Sequence, residues 1–231
     1  EKNLSSLVIF TEPHSAEYFS KINNSSPPPR IIPWREKLRL ISKNGIDFCM
    51  LLKFDESLKL MTPEQFTGEI LEELQIKSLT IGDDFKFGKD RKGDHQYLKS
   101  WGASMGIEID KTDTIKVDDQ RVSSTRIREA LISNNFKTAN AMLDWHYSYS
   151  GKVVYGSQLG REIGVPTANI WIPKQKLPIS GVYAVRCMVN NAKYLGIANM
   201  GIRPTVGGKR PVLETHIFDF EKDIYGRRIT V

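Results

Sequence analysis

The strongest constraint on this chain's fold is a change in the spacing of its apolar residues near Asp144 to Tyr147. Upstream, short β-rich runs alternate with amphipathic stretches of helical period. Downstream, strand-like runs follow one another, punctuated by glycine, proline and asparagine. Two textures in succession predict two architectures. The 231 residues leave room for both, since one domain commonly takes about 100 to 200.

In the first half, Leu7 to Phe10, Phe48 to Leu52 and Leu79 to Ile81 are compact apolar runs of strand length, as strands covered on both faces read. Between them lie helices. Thr62, Pro63 and Gln65 spell a capping box with proline at the first helical position, and Phe66, Ile70, Leu71 and Leu74 behind it share one face. Trp34 to Ile41 reads as a second helix that stops at Asn44-Gly45. A helical pair, Ser124 to Ile132 and Phe136 to Leu143, closes the half. Strand and helix in alternation predict an α/β domain with a doubly wound parallel sheet over residues 1–143, its ligands beyond the carboxyl ends of the strands.

In the second half, Tyr147 to Tyr155, Val182 to Val189, Tyr194 to Met200 and Val212 to Phe220 read as strands, with Asn190-Asn191 as a tight hairpin turn. An all-β domain, a small barrel, is expected over residues 144–231.

Charge narrows the partner. Thirty-three basic against twenty-seven acidic residues give +6, which favours an anion, and nucleotides and nucleic acids both qualify. The basic residues are scattered, without the aromatic-interleaved stripe of a nucleic-acid face, so no nucleic-acid partner is expected. No apolar run is long enough to span a bilayer and no signal-peptide pattern opens the chain, so a cytoplasmic protein without a membrane partner is expected. Cys49 and Cys187 read as two buried thiols, and the four histidines show no metal-ligand spacing.

Four stretches carry polar residues suited to chemistry. Ile81-Gly82-Asp83-Asp84-Phe85-Lys86-Phe87-Gly88 runs from a strand into an acidic and aromatic turn, where a ring system could stack or two phenylalanines could simply fill a core. Arg121 to Arg128 sets three arginines and three hydroxyls around a helix start, either a phosphate cradle or an ordinary cap with solvated arginines. Gly151 to Gly156, Gly160-Arg161 and Gly164-Val165-Pro166-Thr167-Ala168-Asn169 form a glycine-bracketed basic segment without the Walker pattern. Thr167 and Asn169 there offer hard neutral oxygens suited to Mg²⁺ when substrate phosphates supply the charge, with a glycine-rich β-turn and proline kink as the alternative reading. Glu214 sits mid-strand among apolar residues, where a carboxylate is solvated, paired or a general base.

In this order the motifs resemble the prokaryotic bifunctional riboflavin kinase and FMN adenylyltransferase family, also called FAD synthetase. Phe10-Thr11-Glu12-Pro13-His14, Gly82 to Gly88, Ser123 to Arg128, Gly164 to Asn169, Gly181-Val182-Tyr183-Ala184 and Glu214 carry the resemblance. It implies an α/β nucleotidyltransferase domain followed by a riboflavin kinase barrel, with ATP, riboflavin, FMN and FAD as substrates and products and Mg²⁺ accompanying ATP. By the same resemblance Thr167 and Asn169 hold the metal with ATP, Gly156 and Arg161 belong to a loop over the phosphates, and Glu214 takes the proton of the riboflavin 5'-hydroxyl. Ser124, Thr125 and Arg128 would bind the ATP phosphates of the adenylyltransferase, Asp84 would fix its nucleotide, and Phe87 would stack on the flavin. The family's H-x-G-H type motif is missing and the family's chain continues past Val231, so the sequence reads as an internal fragment, truncated at both ends and expected to be poor in FAD synthesis. A kinase with a degenerate first domain and a basic nucleic-acid-binding barrel protein are the competing expectations.

Overall fold

A computed structural model describes residues 4–156, 165–173, 177–205 and 208–231. The chain forms two compact units, one of residues 1–27 and 46–122 and the other of residues 28–45 and 123–231.

In the first unit β1 (Leu7–Glu12) leads to α1 (Ser15–Ile22), capped by His14, whose Nδ1 accepts from the Ala16 N–H at 3.2 Å. After α2 (Trp34–Lys43), which belongs to the second unit, β2 (Phe48–Lys53) pairs parallel with β1, Phe10 opposite Leu51. Short helices α3 (Glu56–Leu60) and α4 (Pro63–Phe66) precede β3 (Ser78–Ile81), and α5 (His95–Met105) crosses to β4 (Glu108–Lys111), which pairs parallel with β3. The α/β half thus takes the form of two parallel strand pairs linked through helices. A small hairpin of β5 (Lys116–Val117) and β6 (Gln120–Arg121) ends the unit.

The capping box at Thr62 forms as the sequence requires: Thr62 Oγ1 accepts from Gln65 N at 3.3 Å, and Gln65 Oε1 accepts from Thr62 N at 2.9 Å. The helix behind it loosens into a π-helical turn at Thr67–Glu72. Thr67 Oγ1 lies 3.1 and 3.0 Å from the carbonyls of Pro63 and Glu64, and such back-bonding competes with the regular ladder. Strand coverage is thinner than the apolar runs imply. Phe48 and Leu51 of β2 are exposed, and Cys49 is exposed where two buried thiols were expected, because β2 pairs only with β1 among the described residues. Cys187 is fully buried.

The second unit joins α2, α6 (Ser124–Ile132) and α7 (Phe136–Leu143) to a closed barrel, so it gathers more than the β-textured half. Side chains explain the attachment. Tyr147 donates to the Ile31 carbonyl at 2.9 Å, and Phe136 packs edge-on against Tyr183 at 5.5 Å. The barrel strands are β7 (Ser150–Val154), β8 (Ala168–Ile170), β9 (Gly181–Val189), β10 (Ala192–Thr205), β11 (Gly208–Ile217) and β12 (Arg228–Thr230). They close in the order β10-β11-β8-β7-β12-β9, every neighbouring pair antiparallel. The turn between β9 and β10 places Asn190 at φ 48° and Asn191 at φ 65°, the two positive values a tight hairpin needs and asparagine tolerates. Alternation fills the interior with Val153, Ile170, Cys187, Ala198, Met200, Leu213, Ile217 and Ile229. Among the described residues no helix is long and apolar enough to cross a membrane.

Candidate functional site

Register decides which side chains meet on the barrel wall. Asn199 of β10 lies opposite Glu214 of β11, Glu214 lies opposite Asn169 of β8, and Asn169 lies opposite Val154 of β7. Directly opposed residues share a face of the sheet, with Cβ atoms about 4.5 to 5.5 Å apart. Leu213 and Thr215, on either side of Glu214, are 4% and 0% exposed and point inward, so this row lies on the outer face. Glu214 and Asn169 are both half-buried. The mid-strand carboxylate is therefore neither a core charge nor a fully solvated one, and it stands beside the amide the sequence paired with it.

Two further residues complete the corner. A Cβ placed on Gly156 would overlap the Asn169 amide, 2.5 Å from its Cγ and 2.7 Å from its Oδ1, so the chain leaving β7 passes Asn169 closely enough that only glycine fits without displacement. Thr167, half-buried, is the last residue before β8 and two residues from Asn169, the spacing that keeps both on one side of an extended chain. The structure thus gathers Gly156, Asn169 and Glu214, with Thr167 at the strand entrance. Arg161 lies outside the described residues. Asn199 and His216 flank Glu214 and were not singled out for a role from sequence. A period-two count from Glu214 reaches His216, but only the strand register identifies Asn199.

The other candidates fall in both units. Helix α6 begins with Ser123 as its cap, whose Oγ accepts from Arg126 N at 3.3 Å, and exposed Ser124 and Thr125 occupy its first turn. Their N–H groups point out along the axis at the helix's N-terminal end. Arg128, one turn on and half-buried, donates from Nε to the Pro29 carbonyl at 2.7 Å. Burial lowers its pKa from the ordinary guanidinium value, as expected of a cation removed from water.

In the first unit Arg121 bridges two carboxylates, 2.7 Å from Asp83 and 3.0 Å from Asp84. Thr114 donates to Asp83 at 2.5 Å, and that hydroxyl, with Arg121 and Lys111 nearby, holds the Asp83 carboxyl below its usual range. Arg121, one of the three arginines read as a phosphate cradle, is thus engaged with the acidic turn. Asp84 stays 74% exposed. Phe87 departs from its expectation. It is 7% exposed and packs among Phe66 and Tyr97 in the unit's core, and a Cβ on Gly93 would collide with its ring. Phe85 stacks on it at 5.7 Å and 17° and is the accessible ring of the pair. The two share a side of the turn, but the one nearer the hairpin bridge to Gly93 is driven inward.

Comparison with known proteins matches residues 1–126 to a family described as FAD synthetase and residues 143–231 to one described as riboflavin kinase. A bifunctional riboflavin kinase/FMN adenylyltransferase of Escherichia coli K12 is 40% identical over all of this chain and 74% of its own length. The Haemophilus influenzae protein of the same description is 38% identical over all of this chain and 75% of its own length. A solved structure described as a macrolide-efflux protein from Streptococcus pneumoniae superposes with a TM-score of 0.75 at 26% identity, covering all of this chain and 85% of that one.

Proposed function

The chain belongs to the bifunctional riboflavin kinase/FMN adenylyltransferase family, and from that premise we propose how its own residues divide the work. The protein makes flavin cofactors: with ATP it phosphorylates riboflavin to FMN, and it adenylylates FMN to FAD with release of pyrophosphate. A divalent metal accompanies ATP. In our reading residues 144–231 carry the phosphorylation and residues 1–143 the adenylylation.

For the kinase step, Glu214 accepts the proton of the riboflavin 5'-hydroxyl as that oxygen bonds to the γ-phosphorus and ADP leaves. A carboxylate half-buried on a rigid strand is well placed to take a proton without swinging away. Thr167 and Asn169 hold the nucleotide and its metal. Their hydroxyl and amide oxygens are neutral, hard donors, and the missing side chain at Gly156 leaves the Asn169 amide uncrowded. We assign the ion as Mg²⁺, which when bound neutralises charge on the phosphoryl group in transit. Gly156 is the position next to the nucleotide's phosphates, and the resemblance assigns Arg161, outside the described residues, to the same task. The observation that carries this reading is the direct opposition of Glu214 and Asn169 across β11 and β8.

For the adenylyl step, Ser124 and Thr125 offer backbone and hydroxyl donors to the ATP phosphates, and Arg128 adds a cation. With Phe87 committed to the core, Phe85 is the ring the turn offers to a flavin. The FMN phosphate is its own nucleophile, so positioning and charge neutralisation can supply the catalysis.

Glu214→Gln in the full-length protein tests the base. The riboflavin phosphorylation rate should fall by about 10² to 10⁴ while FMN adenylylation is unaffected. A phosphorylation rate within a few-fold of wild type would show that Glu214 is not the base.

A further inference from the structure

We infer that His216 is a positioning residue of the kinase site, acting through the backbone of Pro166 to hold Thr167 in place. The inference rests on the reading of Thr167 as a nucleotide ligand. The ladder between β11 and β8 ends at Thr215 opposite Ala168. Thr167 is therefore the first residue outside the sheet, and the residue before it is proline, which has no N–H with which to extend the ladder. Among the described residues the β8–β11 ladder therefore stops short of Thr167.

A side chain holds it instead. One more step of the same register sets Thr167 against His216, and His216 Nδ1 lies 2.8 Å from the Pro166 carbonyl oxygen. A carbonyl oxygen only accepts, so Nδ1 carries the hydrogen. The Pro166–Thr167 peptide is a rigid plane, and fixing its oxygen fixes the nitrogen and Cα of Thr167 with it. Phe218 braces the imidazole with an edge-on contact at 5.5 Å and 66°. Glu214 and His216 are alternate residues of one strand and share its outer face. The base and the support for the ligand are thus built on the same piece of backbone, which sets their separation independently of the chain between residues 156 and 166.

Two variants of the full-length protein separate hydrogen bonding from packing. His216→Phe keeps an aromatic ring but has no donor, and His216→Asn supplies an amide N–H without the ring. In riboflavin kinase kinetics, His216→Phe should raise the KM for MgATP about three- to tenfold, the range one neutral hydrogen bond supports, and leave the KM for riboflavin within twofold. His216→Asn should recover most of that loss. Equal KM values for MgATP in wild type and His216→Phe would overturn the inference, as would a His216→Asn enzyme no better than His216→Phe. Thr167→Ala distinguishes the underlying reading. If it leaves the KM for MgATP unchanged, Thr167 is not a ligand and the inference falls with it, whereas a large Thr167→Ala effect beside a silent His216→Phe overturns the inference alone.

Discussion

Gly156→Ala is the most economical probe of the kinase site, because the structure says what one methyl group would touch. The added carbon would lie 2.5 Å from Cγ and 2.7 Å from Oδ1 of Asn169, against about 3.4 to 4 Å for ordinary contact. Gly156 is not among the positive-φ residues, so alanine adds no backbone strain and acts by steric displacement. Asn169 is half-buried rather than part of the core, so displacing its amide should change folding stability little. Binding should change. A hydrogen bond or ligand contact to a charged group contributes about 1.5 to 3 kcal/mol, which corresponds to about a 10- to 150-fold loss in kcat/KM for MgATP. Gly151→Ala is the contrast, because its Cβ would run into the Ile170 side chain and lie 2.9 Å from the Trp171 carbonyl. Overpacking there should cost about 1 to 3 kcal/mol of stability, read as a lower melting temperature, without a specific MgATP effect. The double variant Gly156→Ala/Asn169→Ala should be no worse than Asn169→Ala, since both remove the same group. If Gly156→Ala keeps kcat/KM for MgATP within twofold of wild type, Asn169 does not touch the nucleotide and the reasoning fails.

Two further outcomes follow from the barrel interior. Thr215 is 0% exposed, its hydroxyl has no hydrogen-bond partner among the described residues, and it faces Ala168 and Ala198 on the adjoining strands. Thr215→Val should therefore stabilise by about 1 kcal/mol, raising the melting temperature by about 2 to 4 °C, and a loss of similar size would reveal a partner for the hydroxyl. Burial pushes the Cys187 thiol up to about 11 from 9.0, so the unfolded chain loses that proton first. The thiol's contribution to stability is present below about pH 9 and is lost as pH rises toward 11, and denaturant midpoints across that window should fall less steeply in Cys187→Ala.

The sequence made the barrel strands legible wherever alternation ran for several residues, as in Val182 to Val189 and Val212 to Phe220. It hid β8 and β12, three residues each, because Ala168-Asn169-Ile170 and Arg228-Ile229-Thr230 are too short to show a period. Their strand character comes from pairing: Asn169 is extended because it lies between Glu214 and Val154. Phe87 shows the opposite limit. Its spacing from Phe85 was readable, but which ring would be buried depended on Gly93, Phe66 and Tyr97 closing over one of them, and those contacts are tertiary. The proposed site residues on the barrel were legible by type, a carboxylate and two neutral oxygens, while only the family resemblance set them together.

Proximity is what the closed topology supplies. Residues 154, 169, 199 and 214 are scattered over sixty positions, yet consecutive steps of hydrogen-bonded register bring them into one row across four strands. A slip of one residue between β11 and β8 would turn Glu214 toward Leu213's place in the core, where an unpaired carboxylate is strongly disfavoured, and would expose Leu213 in return. The alternation that buries Leu213, Thr215 and Ile217 therefore also selects the register that sets Glu214 against Asn169. The packing that makes the barrel stable and the geometry of the proposed kinase site are fixed by the same choice.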